Sequence, residues 1–318
     1  MLTIQGVRCD DPARPYIIAE ASGNHGQELA QAVRLVQAAA EAGADAIKFQ
    51  TFTPEDICAD LPILLGHDAA HDAWCARLGV TRLRALFAKG GLPRAWHGRL
   101  KRVAEDCGVA FLSTPFSVDA ARFLVEEIGV PALKIASGDL TFRPLLTYAA
   151  QTGLPLLVST GGATMGEILQ ALRVLSEAES PGTVTPLFLH CVSAYPCPEA
   201  AVNLAALRSM RLALHEPLGF SDHTLSCDLV PALAVALGAT VLEKHLRLAD
   251  DTQSVDAGHA VDPEAFATYV ATARRTPALL GDGRKLPHPA EQHDRLWARR
   301  SPTDWLRPTD AARAGRWA

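Results

Sequence analysis

Two lysines stand inside apolar segments of the sequence, where a charged side chain is unexpected. Lys48 lies in DAIKFQTF and Lys134 lies in PALKIASGD. Burying an unpaired ammonium group costs on the order of several kcal/mol, so each lysine needs an anionic partner. The spacing favours a bound phosphate or carboxylate that both lysines share. The alternative is that each ammonium reaches solvent or pairs with a protein carboxylate such as Asp139 or Glu20.

A turn rich in hydroxyl groups and glycine indicates a further place for an anion. In LLVSTGGATMGEILQAL, Ser159, Thr160, Gly161 and Gly162 separate a predicted strand from a predicted helix. Hydroxyls and close-lying backbone N–H groups at a helix N-terminus suit a phosphate. The same residues also suit a simple helix cap, and both interpretations stay open.

Histidines and carboxylates near predicted strand ends are candidates for a metal site and for proton transfer. His223 in GFSDHTL and His245 in VLEKHL follow two successive strands. Two imidazoles with open positions suit a catalytic divalent ion, although histidines are more often simply packed and hydrogen-bonded. His259 in SVDAGHAVDP is interpreted as a bystander. Glu20 is a candidate general base or orienting group, and Asp256 lies on a long loop; either carboxylate could instead be solvated or salt-bridged.

Short apolar runs followed by helical periodicity predict the elements that carry these residues. The alternation of strand and helix is typical of a parallel sheet. Eight strands are predicted: Tyr16–Glu20, Asp45–Phe49, Val109–Ser113, Ala132–Ala136, Pro155–Ser159, Pro186–His190, Leu218–Ser221 and Thr240–His245. Seven helices are predicted: Glu28–Ala42, Pro93–Gly108, Ser117–Gly129, Gly166–Ala178, Asn203–Leu214, Asp228–Gly238 and Asp262–Leu280.

Polar residues at every strand end favour one closed architecture. Each predicted strand finishes in residues able to do chemistry, such as Lys48 with Gln50, Lys134 with Ser137, or Glu243 with His245. A (β/α)8 TIM barrel brings all eight ends to one mouth, where barrel enzymes build their active sites. An open, doubly wound sheet shares the alternation but would spread the ends apart. The sequence therefore predicts an α/β barrel over residues 1–282, followed by a short tail.

Composition and charge limit the classes of function. The 318 residues are 48% hydrophobic and 20% charged, as in a globular α/β enzyme, and the net charge of −5 gives little support for nucleic-acid binding. Seven cysteines without a C-x-x-C pair argue against a disulfide framework or a structural zinc site. We find no apolar run of about 18 residues and no export signal. A cytoplasmic protein with small-molecule partners, and no nucleic-acid or membrane partner, is expected.

The order of these segments resembles the sialic acid synthase family, which includes synthases of pseudaminic and legionaminic acids and related spore-coat proteins. The resemblance runs from about Pro15 to Phe266. The segments that carry it are IIAEASGNHG, AGADAIKFQTF, FLSTPFS, ALKIASGDL, LVSTGG, LHCVSAYPCP, GFSDHT, LEKH and DAGHAVDPEAF.

The resemblance implies a transferase that condenses phosphoenolpyruvate with an aldose and releases phosphate. It assigns catalytic roles to Glu20, Lys48, Lys134 and His223. The implied phosphoenolpyruvate-binding residues are Lys48, Gln50, Lys134, Ser137, Ser159, Ser193 and Ser221. His223 and His245 would hold Mn²⁺ or Mg²⁺, which would polarise the aldehyde oxygen. Tyr195 and Asp256 would face the sugar, and the product would be a 2-keto-3-deoxy sugar acid.

The C-terminal segment departs from the resemblance. Family members usually carry an antifreeze-like domain that reaches across a homodimer and places an arginine over the partner's sugar site. Residues 283–318 resemble the linker to such a domain and its first few residues, and no complete second domain fits. Three explanations stay open: a tail arginine substitutes, the acceptor is a different aldose, or a separate chain supplies the domain. The candidate tail arginines are Arg295, Arg299, Arg300, Arg307, Arg313 and Arg316. An unstructured or helical tail lying on the barrel is the simpler alternative.

The segment Thr51–Leu83 is long for a strand-to-helix connection. Long loops at a barrel mouth often act as lids, so this segment either shapes the sugar pocket or is a surface excursion. Two other functions are alternatives to the synthase. One is a Schiff-base aldolase with Lys134 or Lys48 as nucleophile, and the other is a non-catalytic ligand-binding barrel.

Overall fold

The computed structural model describes residues 2–66, 69–178 and 186–316. Its contacts divide the chain into two compact units, Met1–Leu279 and Leu280–Ala318. The sequence places the corresponding boundary after residue 282. Residues 67 and 68 of the long segment after the second predicted strand lie outside the described residues.

Eight parallel strands form the centre of the first unit. They are β1 (Tyr16–Glu20), β2 (Ala46–Thr51), β3 (Ala110–Pro115), β4 (Leu133–Ile135), β5 (Leu156–Ser159), β6 (Leu187–His190), β7 (Leu218–Asp222) and β8 (Val241–His245). The ladder runs in the order β3-β2-β1-β8-β7-β6-β5-β4. Its two end strands, β3 and β4, contact each other, so the sheet is a nearly closed barrel. This confirms the predicted (β/α)8 barrel and excludes the open sheet.

The barrel interior changes from apolar to polar along the strands. Successive strand residues point to opposite faces, so one face of each strand lines the interior. Near the strand starts this face carries apolar residues, including Ile18 on β1, Ala46 on β2 and Val241 on β8, which pack in one buried cluster. Two residues further along, the same face carries Glu20, Lys48 and Glu243. The alternation therefore places a packed floor beneath a polar mouth.

Helices cover the outside of the barrel. The barrel helices are Leu29–Glu41, Arg94–Asp106, Val118–Arg122 continuing as a π-helix over Phe123–Ile128, Arg143–Gln151, Met165–Ala178, Ala206–Leu214, Leu229–Ala236 and Pro263–Leu280. Residues of the opposite strand faces, such as Ile47 and Phe49, pack beneath them. The sequence patterns did not predict Arg143–Gln151. Its proline falls in the first turn, where the missing N–H costs no helical hydrogen bond.

Shorter elements complete the structure. Three helices lie in the segment after β2, which is folded rather than extended: Pro54–Ile57, Ala69–Leu78 and Leu83–Phe87. Single 3₁₀ turns occupy Ser137–Asp139, Glu199–Ala201, Ala257–His259 and Pro289–Glu291. The second unit contains the helices Gln292–Ala298 and Asp310–Arg313. Within the described ranges, no helix is long and apolar enough to cross a membrane.

An N-terminal hairpin that was not predicted closes the floor of the barrel. Its strands Thr3–Ile4 and Val7–Arg8 pair antiparallel. Gln5 and Gly6 both have positive φ, as a two-residue turn between paired strands requires. Ile4 packs in the same buried cluster as the strand starts. Strands of two residues are too short to show a periodic pattern, which is why the sequence did not indicate them.

Candidate active site

A cavity of about 1130 Å³ lies at the carboxyl ends of the barrel strands. Every residue to which the resemblance assigned a role lines it. These residues are Glu20, Lys48, Gln50, Lys134, Ser137, Ser159, Ser193, Tyr195, Ser221, His223, His245 and Asp256. They come from seven of the eight strands or from the loops that follow them. The barrel thus gathers residues spread over 237 positions of sequence into one chamber.

The strand register determines which of these residues are neighbours. On adjacent strands, Glu20 of β1 lies opposite Lys48 of β2 and opposite His245 of β8. Glu243 of β8 lies opposite Ser221 of β7. Side chains at paired positions of a sheet point to the same face, so these residues enter the cavity side by side.

Both buried lysines are paired with carboxylates of the protein. The Nζ atom of Lys48 lies 2.5 Å from Glu20 Oε2 and 3.5 Å from Glu243 Oε2, and it donates to Thr114 Oγ1 at 2.9 Å. The Nζ atom of Lys134 donates to Ser159 Oγ at 2.6 Å and lies 3.9 Å from Glu243 Oε1. The alternative in which a buried lysine pairs with Glu20 therefore holds for Lys48. Glu243, rather than Asp139, bridges the two ammonium groups.

The two carboxylates differ in how readily they hold a proton. Burial alone would raise the pKa of Glu243, but Lys134 and Lys48 outweigh burial and lower it to about 2. Burial raises the pKa of Glu20 above its ordinary value, and the neighbouring Glu243 carboxylate adds to the rise against the opposing effect of Lys48. Paired carboxylates with separated pKa values take different roles in proton transfer. Of the two carboxylates, Glu243 therefore keeps its negative charge to lower pH, and Glu20 takes up a proton more readily.

The hydroxyl-rich turn after β5 contributes side chains to the cavity. Ser159 lines it, whereas Thr160 donates to the Leu189 carbonyl at 2.9 Å. The Gly161 N–H donates to Ser137 Oγ at 2.9 Å. The helix that follows is capped by Thr164 and Glu167, which bond to one another. The turn therefore presents hydroxyl groups, and the helix N-terminus lies beyond it.

The two predicted metal ligands lie close together, and the tautomer of His223 is set by its partner. The ring centroids of His223 and His245 are 5.5 Å apart. His223 Nδ1 lies 2.6 Å from the Val192 carbonyl, which can only accept, so Nδ1 carries the proton and Nε2, which lies 3.4 Å from Ser221 Oγ, has the lone pair. His245 Nδ1 lies 3.2 Å from Ser22 Oγ. Burial lowers the pKa of His223 to about 4 and that of His245 well below its ordinary value.

The donor chemistry of these two imidazoles fits a divalent ion as a partial ligand set. Neutral imidazole is a common ligand of Mn²⁺-type ions, and a catalytic site leaves positions open for water or substrate. Among the described residues, no group of three or more His, Cys, Asp or Glu side chains is arranged to hold a metal alone. Any ion held here would therefore take further ligands from water or substrate.

An aromatic group forms another part of the cavity. The Tyr195 ring lies 4.3 Å from the His223 ring and 5.0 Å from the His259 ring, centroid to centroid. His259 also lies 4.7 Å from His245. Asp256 Oδ2 accepts a hydrogen bond from the Gly23 N–H at 2.9 Å, and Asp256 Oδ1 lies 3.6 Å from His259 Nε2. His259, interpreted from sequence as a bystander, thus lines the cavity.

Similarity to known proteins identifies the family of this chain. The model of the NeuB family matches residues 35–285. The chain belongs to the NeuB family. Its sequence is 36% identical to the N,N'-diacetyllegionaminic acid synthase of Legionella pneumophila over 91% of the chain and 79% of the relative. It is 33% identical to the pseudaminic acid synthase of Campylobacter jejuni, over 85% and 76% of the two chains.

A solved structure extends the likeness to the fold of this NeuB-family chain. The crystal structure of N-acetylneuraminic acid synthetase from Leptospira borgpetersenii, in complex with citrate, superposes with a TM-score of 0.78. The two sequences are 32% identical, and the match covers 92% of this chain and 94% of the other. The predicted family is confirmed, and so is the prediction of a sialic acid synthase-like enzyme.

Several cavity residues of this NeuB-family enzyme received no role from the sequence, among them Glu243 and Trp74. The sequence indicates Glu243 only as a polar strand-end residue, although its spacing of two from His245 places both on one face. That signal could have identified it. Trp74 also lines the cavity, but it lies in the long segment after β2, and no periodic pattern connects it with the strands.

Proposed function

We propose that this enzyme condenses phosphoenolpyruvate with an aldose to give a 2-keto-3-deoxy sugar acid of the nonulosonic type and phosphate. The observation that carries the proposal is the pair of buried ammonium groups, Lys48 and Lys134, beside Glu20 and the His223–His245 pair in one cavity. A trianionic substrate needs concentrated positive charge, and a condensation needs two reactants held in line.

The proposed phosphoenolpyruvate site combines the lysines with hydroxyl and amide donors. Lys134 and Ser159 already share a hydrogen bond, and Ser137 and Ser193 approach the same turn. A β-carbon at Gly161 would collide with Ser193 Oγ and lie 3.0 Å from Ser137 Oγ. Glycine is therefore required for these hydroxyls to converge. Gln50 and Ser221 complete the proposed set, each bonded to one of the two carboxylates.

The proposed reaction forms one carbon–carbon bond, forms one carbon–oxygen bond from water at C2 and breaks the C2–oxygen bond to phosphate. C3 of phosphoenolpyruvate attacks the aldehyde carbon, water adds to C2, and the tetrahedral intermediate expels phosphate. Lys48 and Lys134 offset the charge on carboxylate and phosphate. Glu20, whose pKa is raised by burial, accepts the proton of the attacking water or supplies one to the new hydroxyl. Glu243 stays ionised and keeps both ammonium groups in position.

The test of this proposal is phosphate release from phosphoenolpyruvate in the presence of Mn²⁺. The acceptors would be N-acetylmannosamine, mannose and 2,4-diacetamido sugars. We expect aldose-dependent release with at least one of them. A parallel sample with pyruvate and borohydride should yield no covalent adduct, because the lysines serve as cations. Trapping of pyruvate on Lys134 or Lys48 would support the aldolase, and absence of both results would support the non-catalytic barrel.

We propose that His223 and His245 hold Mn²⁺ or Mg²⁺. Such an ion, when bound, would act as a Lewis acid towards the aldehyde oxygen. The support is the closeness of the two imidazoles and the tautomer of His223, whose Nδ1–H is directed at the Val192 carbonyl. His223→Ala should reduce the binding of Mn²⁺, measured by calorimetric titration, at least about tenfold while the thermal transition persists. His293→Ala, at an exposed position, is the matched control. Unchanged Mn²⁺ binding in the first variant would rule out this site.

We further propose that the enzyme acts in the cytoplasm as a homodimer, with Tyr195 and Asp256 facing the aldose. All seven cysteines are free thiols, which suits a reducing compartment. The family resemblance supports the dimer and leaves open a separate chain carrying the antifreeze-like domain. Light scattering of the purified protein and fractionation of the producing cells test the two statements.

A further inference from the structure

The long segment after β2 forms a small folded body with its own core. Cys75 of the helix Ala69–Leu78 packs with Ile63, Val80 and Leu86 in a buried cluster separate from the barrel core. Backbone bonds join Ile63 to Thr81 and Leu61 to Leu83, which closes the segment on itself. Trp74 belongs to the same cluster, yet its ring also lines the cavity.

Two side chains of this helix bond to the loop that follows β8. The indole N–H of Trp74 donates to the Val255 carbonyl at 3.0 Å. One turn along, Arg77 Nη1 donates to the Thr252 carbonyl at 3.1 Å. The Val255 side chain packs against the helix cluster as well. The helix therefore holds the main chain of the loop immediately before Asp256.

Asp256 is thus fixed from two directions. Its Oδ2 atom accepts the Gly23 N–H at 2.9 Å, and its preceding peptide carbonyl is bonded by Trp74. A β-carbon at Gly23 would lie 3.2 Å from Asp256 Oδ2 and 3.0 Å from the Gly90 main chain, so glycine at position 23 allows the close approach of these loops. The position of this carboxylate in the cavity depends on a residue 182 positions earlier in the chain.

We propose that Trp74 is a positioning and specificity residue for the acceptor sugar. Its ring forms the cavity wall beside Asp256, and its N–H holds the Val255–Asp256 peptide so that the carboxylate faces the acceptor. An aromatic face packs well against the C–H groups of a carbon chain, while the neighbouring carboxylate accepts hydroxyl donors. This inference rests on the proposed condensation, because it takes the acceptor to be an aldose bound next to Asp256.

A purely structural role would have a different signature. If Trp74 only filled the core of the segment after β2, its loss would loosen that segment without distinguishing the two substrates. Phosphoenolpyruvate is proposed to bind at Lys48 and Lys134, whereas Asp256 is proposed to contact the aldose. A role in positioning Asp256 must therefore change the KM for the aldose and leave the KM for phosphoenolpyruvate nearly unchanged.

Three variants separate these roles in steady-state kinetics. Trp74→Phe keeps an aromatic wall and removes the donor to Val255, so its aldose KM should rise about fivefold, as expected for one lost hydrogen bond. Trp74→Ala removes wall and donor, and its aldose KM should rise at least about twentyfold. Arg82→Ala is the matched control, because it loses an exposed bond to Asp60 within the segment after β2 and is not a cavity residue; its aldose KM should change less than about twofold. The KM for phosphoenolpyruvate should stay within about twofold in all three.

Hydrogen–deuterium exchange tests the same inference without turnover. The amides of Ser254 and Ala257 are bonded to Asp251 and to Ser254 within the loop. They should exchange faster in Trp74→Phe than in the wild type, while the barrel helices stay unchanged. Equal exchange, or equal rises in both KM values, would overturn the inference. Faster exchange in a protein that releases no phosphate with any aldose would refute the proposed condensation and leave the positioning of Asp256 supported.

Discussion

At the scale of single residues, the site is built from four buried ionisable side chains whose charges can balance. Lys48 and Lys134 face Glu20 and Glu243, and all four are at most 4% exposed. Burial lowers the pKa of Lys48, but Glu20 and Glu243 reverse the effect and raise it above its ordinary value. A buried pair is tolerated when each charge has a close partner and further hydrogen bonds. The balance explains how this polar mouth exists before any anionic substrate enters.

Lys48→Met should remove both stability and activity. The change leaves Glu20 and Glu243 without their shared cation, so the free energy of unfolding should fall by about 3 kcal/mol. Protonation of one of the two carboxylates would make this loss smaller. Phosphate release should fall at least about hundredfold, as for loss of a charged donor in an active site. Urea denaturation and the phosphate assay measure the two effects. Lys89→Met, at an exposed position, should leave both nearly unchanged; an active Lys48→Met enzyme would contradict the proposed site.

At the scale of elements, one strand supplies the site on one face and anchors a loop on the other. Glu243 and His245 of β8 point into the cavity, while Lys244 between them points outward and is fully buried. Lys244 Nζ donates to the carbonyls of Thr224 and Ser226 and lies 3.2 Å from Asp222. These acceptors belong to the loop that carries His223. The alternation of β8 therefore couples the position of one histidine to the other.

A buried histidine joins a barrel helix to two strands and makes stability depend on pH. His97 Nε2 lies 2.7 Å from Thr51 Oγ1, which in turn lies 2.7 Å from Ser113 Oγ. Burial lowers the pKa of His97 to about 4. The unfolded chain binds this proton near pH 6.5, whereas the folded chain binds it only near pH 4. The contribution of the neutral His97 to the free energy of unfolding is therefore fully present above pH 6.5. As the pH falls from 6.5 to 4, this contribution decreases by up to about 3 kcal/mol.

His97→Gln should flatten this dependence. The free energy of unfolding, measured by urea denaturation between about pH 4 and pH 7.5, should vary less steeply in the variant than in the wild type, because the titrating group is gone. The same measurement on His293→Gln should reproduce the wild-type slope, since that side chain is exposed. Parallel curves for His97→Gln and wild type would show that His97 does not control acid stability.

At the scale of the whole molecule, the barrel contains its own core. The buried hydrophobic clusters of the barrel lie entirely within the first unit, Met1–Leu279. The second unit, Leu280–Ala318, exposes Trp297 and Trp305 at 57% and 70%. Within it, Arg313 pairs with Asp304. The first unit therefore has what a domain needs in order to fold by itself.

A chain that ends after Gly283 should keep the cooperative thermal transition of the barrel, measured by circular dichroism. Its kinetics also test whether a tail arginine contributes to recognition of the aldose. An unchanged KM for the aldose would show that none of the tail arginines recognises the aldose. A rise in that KM alone would show that the tail takes part in recognising it. Loss of the thermal transition would contradict the independence of the barrel.

The sequence by itself determined the barrel fold and indicated many of the strand-end residues that line the cavity. Seven predicted strands end within two residues of the observed ends, and β4 ends one residue before the predicted Ala136, because apolar runs and their polar endings are local features. The same locality explains the failures. The helix Arg143–Gln151 carries a proline, and the hairpin Thr3–Ile4 and Val7–Arg8 is too short for a pattern.

Only the tertiary structure decided which residues act on one another. Register between strands is a long-range property, so the pairing of Lys48 with Glu20 and the bridging by Glu243 could not be read from either strand alone. The bond from Trp74 to Val255 joins segments 181 residues apart. The local sequence pattern determines which face of a strand or helix a side chain occupies. The packing of the whole chain determines which residues of other elements contact that face.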